Sequence, residues 1–313
     1  MKSSMLLRPL QDSDVSEYAE LLYGAFNFWY WKHGWGKNFL NCHPQETAIY
    51  YQVYNDINPG CSVAVFDENN GRMMGACFYH PREYHVSLGV MSVHPNYGGQ
   101  GVGRQMINHI LAYTREHGYD ACRLVSSAVN MDSFSLYNRA GFVPYLSYQD
   151  MVITIPETGL GSIPIAGTDC VREANLSDID QMGLLELEVS CIKREIDYRY
   201  AIENPRDIFH ASVYVNHQQQ VEGFMISVKH PALNMLGPCV ARTEAIAIAL
   251  IRQELERFNG SQVLILIPMD KRKIVEQMYA WKAINVETHL NEVWGKFTGF
   301  NGVNMPGFLP ETG

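Results

Sequence analysis

Apolar side chains recur along this chain at helical and strand spacings, and the order of the patterns repeats. Val15, Tyr18, Leu21 and Leu22 predict one helix, and Ile179, Met182 and Leu185 predict its counterpart. Arg8, Ser13 and Asp14 precede the first with the same spacing as Arg172, Ser177 and Asp178 precede the second, and both Ser-Asp pairs read as helix N-caps. Strand-like runs over 75–81 and 223–231 end in His80-Pro81 and His230-Pro231. Leu136-Tyr137 is followed, four residues after the tyrosine, by Gly141-Phe142, and Met278-Tyr279 is followed at the same interval by Ala283-Ile284. Matched landmarks in one order indicate an internal duplication. A length of 313 residues also favours two domains. We place them at 1–155 and 168–313, joined by a linker over 156–167 that carries Pro156, Gly159, Gly161, Pro164 and Gly167. The first copy is longer where an aromatic run sits: Phe26, Phe28, Trp29, Tyr30, Trp31 and Trp35.

The chemistry lies in the first copy. A β-rich run over 86–93 is broken by His94-Pro95, and Gly98, Gly99, Gln100, Gly101, Val102 and Gly103 then lead into a helical pattern over 104–117. In that pattern Met106, Ile107, Ile110, Leu111 and Thr114 share a face. Strand, glycine loop and helix together form an anion cradle, because glycines turn successive N–H groups into one concavity and the helix adds its positive end. A lone glycine loop is equally often only a tight turn. Here a strand over 121–129 follows, and then Asn130-Met131-Asp132-Ser133-Phe134-Ser135-Leu136-Tyr137 with Gly141-Phe142 behind it.

With those residues the sequence resembles the GNAT superfamily of acyl-CoA N-acyltransferases, whose signature is such a glycine loop followed some thirty residues later by Asn-x-x-Ala-x-x-Leu-Tyr and Gly-Phe. The resemblance implies an α/β fold of the α+β kind with a mixed sheet, as two tandem GNAT-like domains. It implies acetyl-CoA as cofactor and an N-acetyltransferase that acts on a primary amine of a small molecule or peptide. The coenzyme would lie on Met91, Ser92, Val93, the loop from Gly98 through Gly99, Gln100, Gly101, Val102 and Gly103 to Arg104, and on Asn130 and Ser133. The family cradle has a basic or amide residue where this chain has Gly98, which removes one side-chain contact to phosphate. Tyr137 matches the tyrosine that protonates the departing thiolate, its other reading being a core aromatic, and Asn130 either fixes the coenzyme arm or caps a helix. Many relatives place a glutamate on the fourth strand, but 88–93 holds no carboxylate; Glu83, His85 and His80 lie upstream, and a water chain is an alternative base. The aromatic run lies where relatives cover the acceptor site, as a pocket, a cation–π cage or plain core packing.

In the second copy Thr243 stands in place of Gly101, Glu244 brings negative charge to the phosphate position, and Arg272 stands at the position of Asn130. This half is expected to be degenerate, holding no coenzyme and either walling the acceptor pocket or mediating dimerisation. A formal charge of -9 argues against nucleic acid or anionic membrane as partner and suits a cationic amine acceptor. Seven scattered cysteines, nowhere spaced as CxxC, predict neither a disulfide framework nor a metal site, and fit the cytoplasm. The start lacks a signal-peptide pattern and no run suffices for a membrane helix. The sortase-like pattern over 309–313 is read as chance or a label. Two other functions stay open: a non-catalytic acyl-CoA sensor or structural protein, and a transferase for a longer acyl group.

Overall fold

The structure is a computed structural model that describes residues 4–34, 39–161 and 165–309; Trp35, Pro164 and 310–313 lie outside them. The first half contains β1 (Met5–Arg8), α1 (Val15–Lys32), α2 (Ala48–Ile57), β2 (Ser62–Asp67), β3 (Met73–Pro81), β4 (His85–Val93), α3 (Val102–Glu116), β5 (Ala121–Ser127), α4 (Met131–Arg139) and β6 (Val143–Thr154). The second contains β7 (Val171–Glu173), α5 (Ile179–Ser190), α6 (Glu195–Glu203), β8 (Phe209–Val215), β9 (Val221–His230), β10 (Leu233–Ala241), α7 (Glu244–Leu255), β11 (Gln262–Pro268), α8 (Arg272–Ala280), β12 (Ile284–Gly295) and β13 (Val303–Met305).

All strands join one mixed sheet in the order β1-β2-β3-β4-β5-β12-β6-β11-β10-β9-β8-β7, with β13 beside β10. Its centre is an exchange. The last long strand of the second half, β12, pairs antiparallel with β5, while β6 of the first half pairs antiparallel with β11. β6 and β12 pair with each other along most of their length. Each half thus completes the sheet of the other.

The duplicated landmarks are structural equivalents. Arg8 binds both carboxylate oxygens of Asp14, at 2.6 and 2.9 Å, and Arg172 does the same to Asp178 at 2.8 and 2.7 Å. Each aspartate also accepts from the backbone N–H of the residue three earlier, Gln11 or Asn175, closing a capping box around a short 3-10 turn. The aspartates do this, not Ser13 or Ser177. The equivalence of Tyr137 with Tyr279 also requires correction. The Phe142 N–H donates to the Tyr137 carbonyl, and the Ala283 N–H donates to the carbonyl of Met278. Gly141 and Lys282, with φ of 96° and 66°, end the two helices in the same left-handed turn. Met278 therefore occupies the place of Tyr137, while Tyr279 faces outward and its hydroxyl donates to Gln149. The sequence pairing slipped by one residue because backbone geometry, not residue type, marks the helix end.

Candidate active site

β4 and β5 run parallel and pair only over His85↔Ala121, Val86↔Cys122 and Ser87↔Arg123. Beyond that, among the described residues, no strand pairs with 88–93 on the β5 side, so a wedge opens through the sheet. A bulge lies at its inner end. The β3–β4 register passes from Tyr79↔Leu88 to Cys77↔Met91, which sets Gly89 and Val90 together against Phe78. Leu88, Met91 and Val93 consequently pack toward α3, and Val90 packs with the α1–α2 side.

At the outer end, Gly99 and Gly101 hold φ of 75° and 92°, and Gly101 is the N-cap of α3. The N–H groups of the first turn of α3 have no intrahelical acceptor. No atom lies within 4 Å of where a Gly99 Cβ would sit, and the Arg104 guanidinium lies 3.4 Å from the corresponding point at Gly101. An open loop, a helix N-terminus and a nearby guanidinium fit a diphosphate. A Cβ on Gly103 would come within 2.9 Å of Leu136, so glycine there lets α3 approach α4. Gly98 has an ordinary φ of -56°, and a Cβ there would meet only the Pro95 carbonyl oxygen, at 3.4 Å; neither demands glycine. α3 forms as expected because Met106, Ile107, Ile110, Leu111 and Thr114 are buried along one face.

Tyr137 is buried on α4 in the cluster that contains Leu88 and Val102 and is flanked by Met91 and Val93, so it lies on the α3 side of the wedge. The Asn130 side chain accepts from the Ser133 N–H at 3.1 Å and caps α4. Ser92 is buried on β4. Glu83 and His85 sit at the end of β4 remote from the glycine loop. Glu83 is exposed and ion-paired with Lys193 at 2.7 Å, a contact that lowers its pKa. His85 is buried in the zipped segment 3.3 Å from Ser87, and burial, reinforced by Arg123, Arg82 and Arg194, drives its pKa well below the imidazole range. His80 is likewise buried, 3.0 Å from Asn58.

Across the wedge lies a cluster that sequence reasoning missed. Glu287 on β12 accepts from the Tyr30 hydroxyl at 3.0 Å and the Ser127 hydroxyl at 2.9 Å. His289 lies 3.6 Å from Glu287 and 3.4 Å from Asp150 of β6, whose other carboxylate oxygen is buried without a hydrogen-bond partner. Burial raises both carboxyls above the usual range, Asp150 strongly and with a contribution from Glu287; hydrogen bonds from Ser127 and Tyr30 partly offset the rise at Glu287. Burial lowers His289 to about 4. The three side chains have the spacing of a cation site, with ligand atoms within 4.8 Å of one another, but both Glu287 oxygens are already engaged by hydroxyls. Tyr30 was in view as part of the aromatic run; Glu287 was not, because nothing local in the sequence says that β12 lies beside β5. Phe28 and Trp31, from the same run, are more than half exposed.

The equivalent wedge of the second half is filled. β10 and β11 pair only over Met235↔Leu264 and Leu236↔Ile265, and β13 then lies along β10, with Cys239↔Met305, Val240↔Asn304 and Ala241↔Val303. Gly237 and Pro238 form the matching bulge, and Pro238 has no N–H to offer. Thr243 caps α7 through its side chain, and Glu244 accepts from the Lys273 and Ile274 N–H groups at 2.7 and 3.3 Å. Glu244 thus takes up the N-terminus of α8. Lys271 rather than Arg272 is the N-cap there, and Arg272 is exposed and paired with Glu276. A polar groove of about 870 Å³ lies between β7–β9 and α7 and is lined by none of the residues named for the coenzyme.

A wedge of splayed parallel strands before a helix N-terminus thus occurs twice, open beside a glycine loop in the first half and filled by β13 in the second. The profile of the acetyltransferase (GNAT) family matches residues 27–142, and that of an acetyltransferase (GNAT) domain matches 201–289. The chain belongs to the GNAT superfamily as a tandem protein. A Pyrococcus horikoshii structure described as a candidate acetyltransferase is similar at 16% identity and a TM-score of 0.74, covering 98% of this chain and 95% of that one. A tandem GNAT protein from the clavulanic acid biosynthesis pathway is similar at 14% identity and a TM-score of 0.62, covering 93% and 98%. Saccharomyces cerevisiae N-myristoyltransferase, solved with myristoyl-CoA, is similar at 10% identity and a TM-score of 0.60, covering 96% and 82%. No curated protein matches the sequence. Among the described residues, no helix is long and apolar enough to cross a membrane.

Proposed function

We propose that the chain is an acetyl-CoA-dependent N-acetyltransferase of the cytoplasm, acting on the primary amine of a small molecule or peptide. The copy at 1–155 binds the coenzyme, and the copy at 168–313 completes the acceptor side. The observation that carries this reading is the open β4–β5 wedge between the glycine loop and a buried cluster of titratable groups. Acetyl-CoA would supply the thioester. Gly101, Val102, Gly103 and Arg104 receive its diphosphate, and free backbone groups of Met91, Ser92 and Val93 bond the pantetheine arm as an added strand would. A bulge amide at Gly89 or Val90 stabilises the oxyanion, and Tyr137 returns a proton to the thiolate. A short acyl group is favoured because Tyr54, Phe78 and His80 pack within 3.3 Å of where a Gly89 Cβ would stand.

Calorimetry with acetyl-CoA and a thiol-release assay over primary amines of varied size test the reading. Binding with amine-dependent thiol release is expected. Binding without release would make the chain a sensor, and faster release from myristoyl-CoA would reassign the acyl group.

A further inference from the structure

We propose, on the basis of the acyltransfer reading above, that Glu287 is the base that takes the proton from the acceptor ammonium, carried into the first half's cleft by the exchanged strand β12, with His289 passing that proton toward solvent.

The placement comes from strand register. β4 and β5 are last paired at Ser87↔Arg123, and counting outward from there brings Ser127, at the end of β5, to the stretch of β4 just past the bulge at Gly89 and Val90. Ser127 holds Glu287 at 2.9 Å, which brings this carboxylate to the height of the wedge where the thioester would lie. The face also fits. Tyr137 and α3 lie on one side of the sheet, whereas Glu287 bonds Tyr30 of α1 on the other. A coenzyme entering from the α3 side and an amine from the α1 side would meet at the wedge.

The cluster is expensive as a purely structural feature. Asp150, Glu287 and His289 come from β6 and β12, with Tyr30 from α1 and Ser127 from β5, and among the described residues no lysine or arginine pairs with either carboxylate. Two buried carboxyls without a cation cost stability, and Glu287 adds to the rise that burial causes at Asp150. One Asp150 oxygen, in a residue only 1% exposed, is left without a partner. A primary ammonium is the ligand that answers this arrangement: one positive charge beside two carboxyl groups, with N–H donors for the unpaired oxygen.

In the transfer step the ammonium gives one proton to a Glu287 oxygen, and His289, neutral because burial holds it near about 4, relays that proton outward. The freed nitrogen lone pair attacks the thioester carbon; a C–N bond forms and the carbonyl pair moves to oxygen. Collapse breaks the C–S bond, with its electron pair leaving on sulfur. Tyr137 protonates the thiolate, and the remaining surplus proton on nitrogen restores Tyr137 through solvent.

The test is Glu287→Gln in the full chain, assayed with acetyl-CoA over the primary-amine panel. kcat/KM at neutral pH should fall by roughly 10²- to 10⁴-fold, and the decline toward low pH should vanish, while coenzyme A affinity is unchanged. Tyr30→Phe removes a donor to the carboxylate, so it should move that decline to higher pH without abolishing it. A Glu287→Gln enzyme that keeps the wild-type profile overturns the proposal. So does activity lost on chelation and restored by a divalent ion. If the wild type acylates no amine, the acyltransfer reading fails instead. Infrared titration of the carboxyl that differs between wild type and Glu287→Gln then decides the cluster: a value above the ordinary glutamate range supports a proton-holding site, and an ordinary value refutes it.

Discussion

Tyr137 and Asp150 illustrate how burial turns ordinary side chains into candidates for proton chemistry. Tyr137 sits in an apolar cluster beside the splayed part of β4, where removing its hydroxyl leaves the ring packing intact. Tyr137→Phe should therefore keep its fold and coenzyme affinity while kcat drops by about 10²-fold, measured in the thiol-release assay with stability checked in parallel. Burial, with a contribution from Glu287, raises the Asp150 carboxyl well above the ordinary carboxylate range. The native chain then retains a proton that the unfolded chain has released, between the ordinary carboxylate range and the raised value, so stability falls as pH rises through that window. His289, lowered to about 4, acts oppositely between there and its ordinary value, but it is common to both proteins compared. Asp150→Asn should flatten the decline of the denaturation midpoint as pH rises above the ordinary carboxylate range. Gly98 has an ordinary backbone, and a Cβ there would only touch the Pro95 carbonyl oxygen at 3.4 Å, so Gly98→Arg should fold normally and tighten coenzyme A binding by about 1 kcal/mol, roughly five-fold, in calorimetry.

Among the elements, the short strand β13 separates the two halves most sharply. It fills the second wedge by backbone pairing with β10, in the place a pantetheine arm would take, and the segment after β13 is anchored. Phe308 is buried against Tyr50 and Tyr54, and the Leu309 carbonyl accepts from Arg194 at 2.6 Å. With Met278 in place of the phenol and Pro238 in place of a bulge N–H, the second half lacks the parts even if the strand were displaced. Calorimetry should find one acetyl-CoA per chain. Two equivalent sites would contradict this account.

At the scale of the whole molecule the halves cannot be treated as independent. β5 depends on β12 for its outer hydrogen bonds and β11 depends on β6. A buried ion pair adds to the seam, because Arg82, between β3 and β4, binds both oxygens of Asp197 on α6, and both side chains are almost wholly inaccessible. Removing one partner strands a buried charge. Asp197→Ala should cost about 3–5 kcal/mol in urea unfolding, whereas breaking the exposed pair Lys193–Glu83 should leave the urea midpoint nearly unchanged.

The duplication, the strand–glycine loop–helix unit and the Thr243 and Glu244 that replace the second cradle are legible in the sequence, because each is written in local periodicity or in residues whose backbone demands are intrinsic. Gly101 at φ of 92°, the buried face of α3 and the two Arg–Asp clasps arise directly from their own segments. Three things depend on the folded chain: what β13 covers, that Met278 stands in place of the phenol, and that Glu287 and Asp150 meet. Glu287 is 160 residues from Ser127 along the chain, and their meeting is set by which strand pairs with β5. Pairing of that kind depends on long-range hydrogen bonds and on the burial of a whole sheet, which no local pattern of apolar and polar residues encodes.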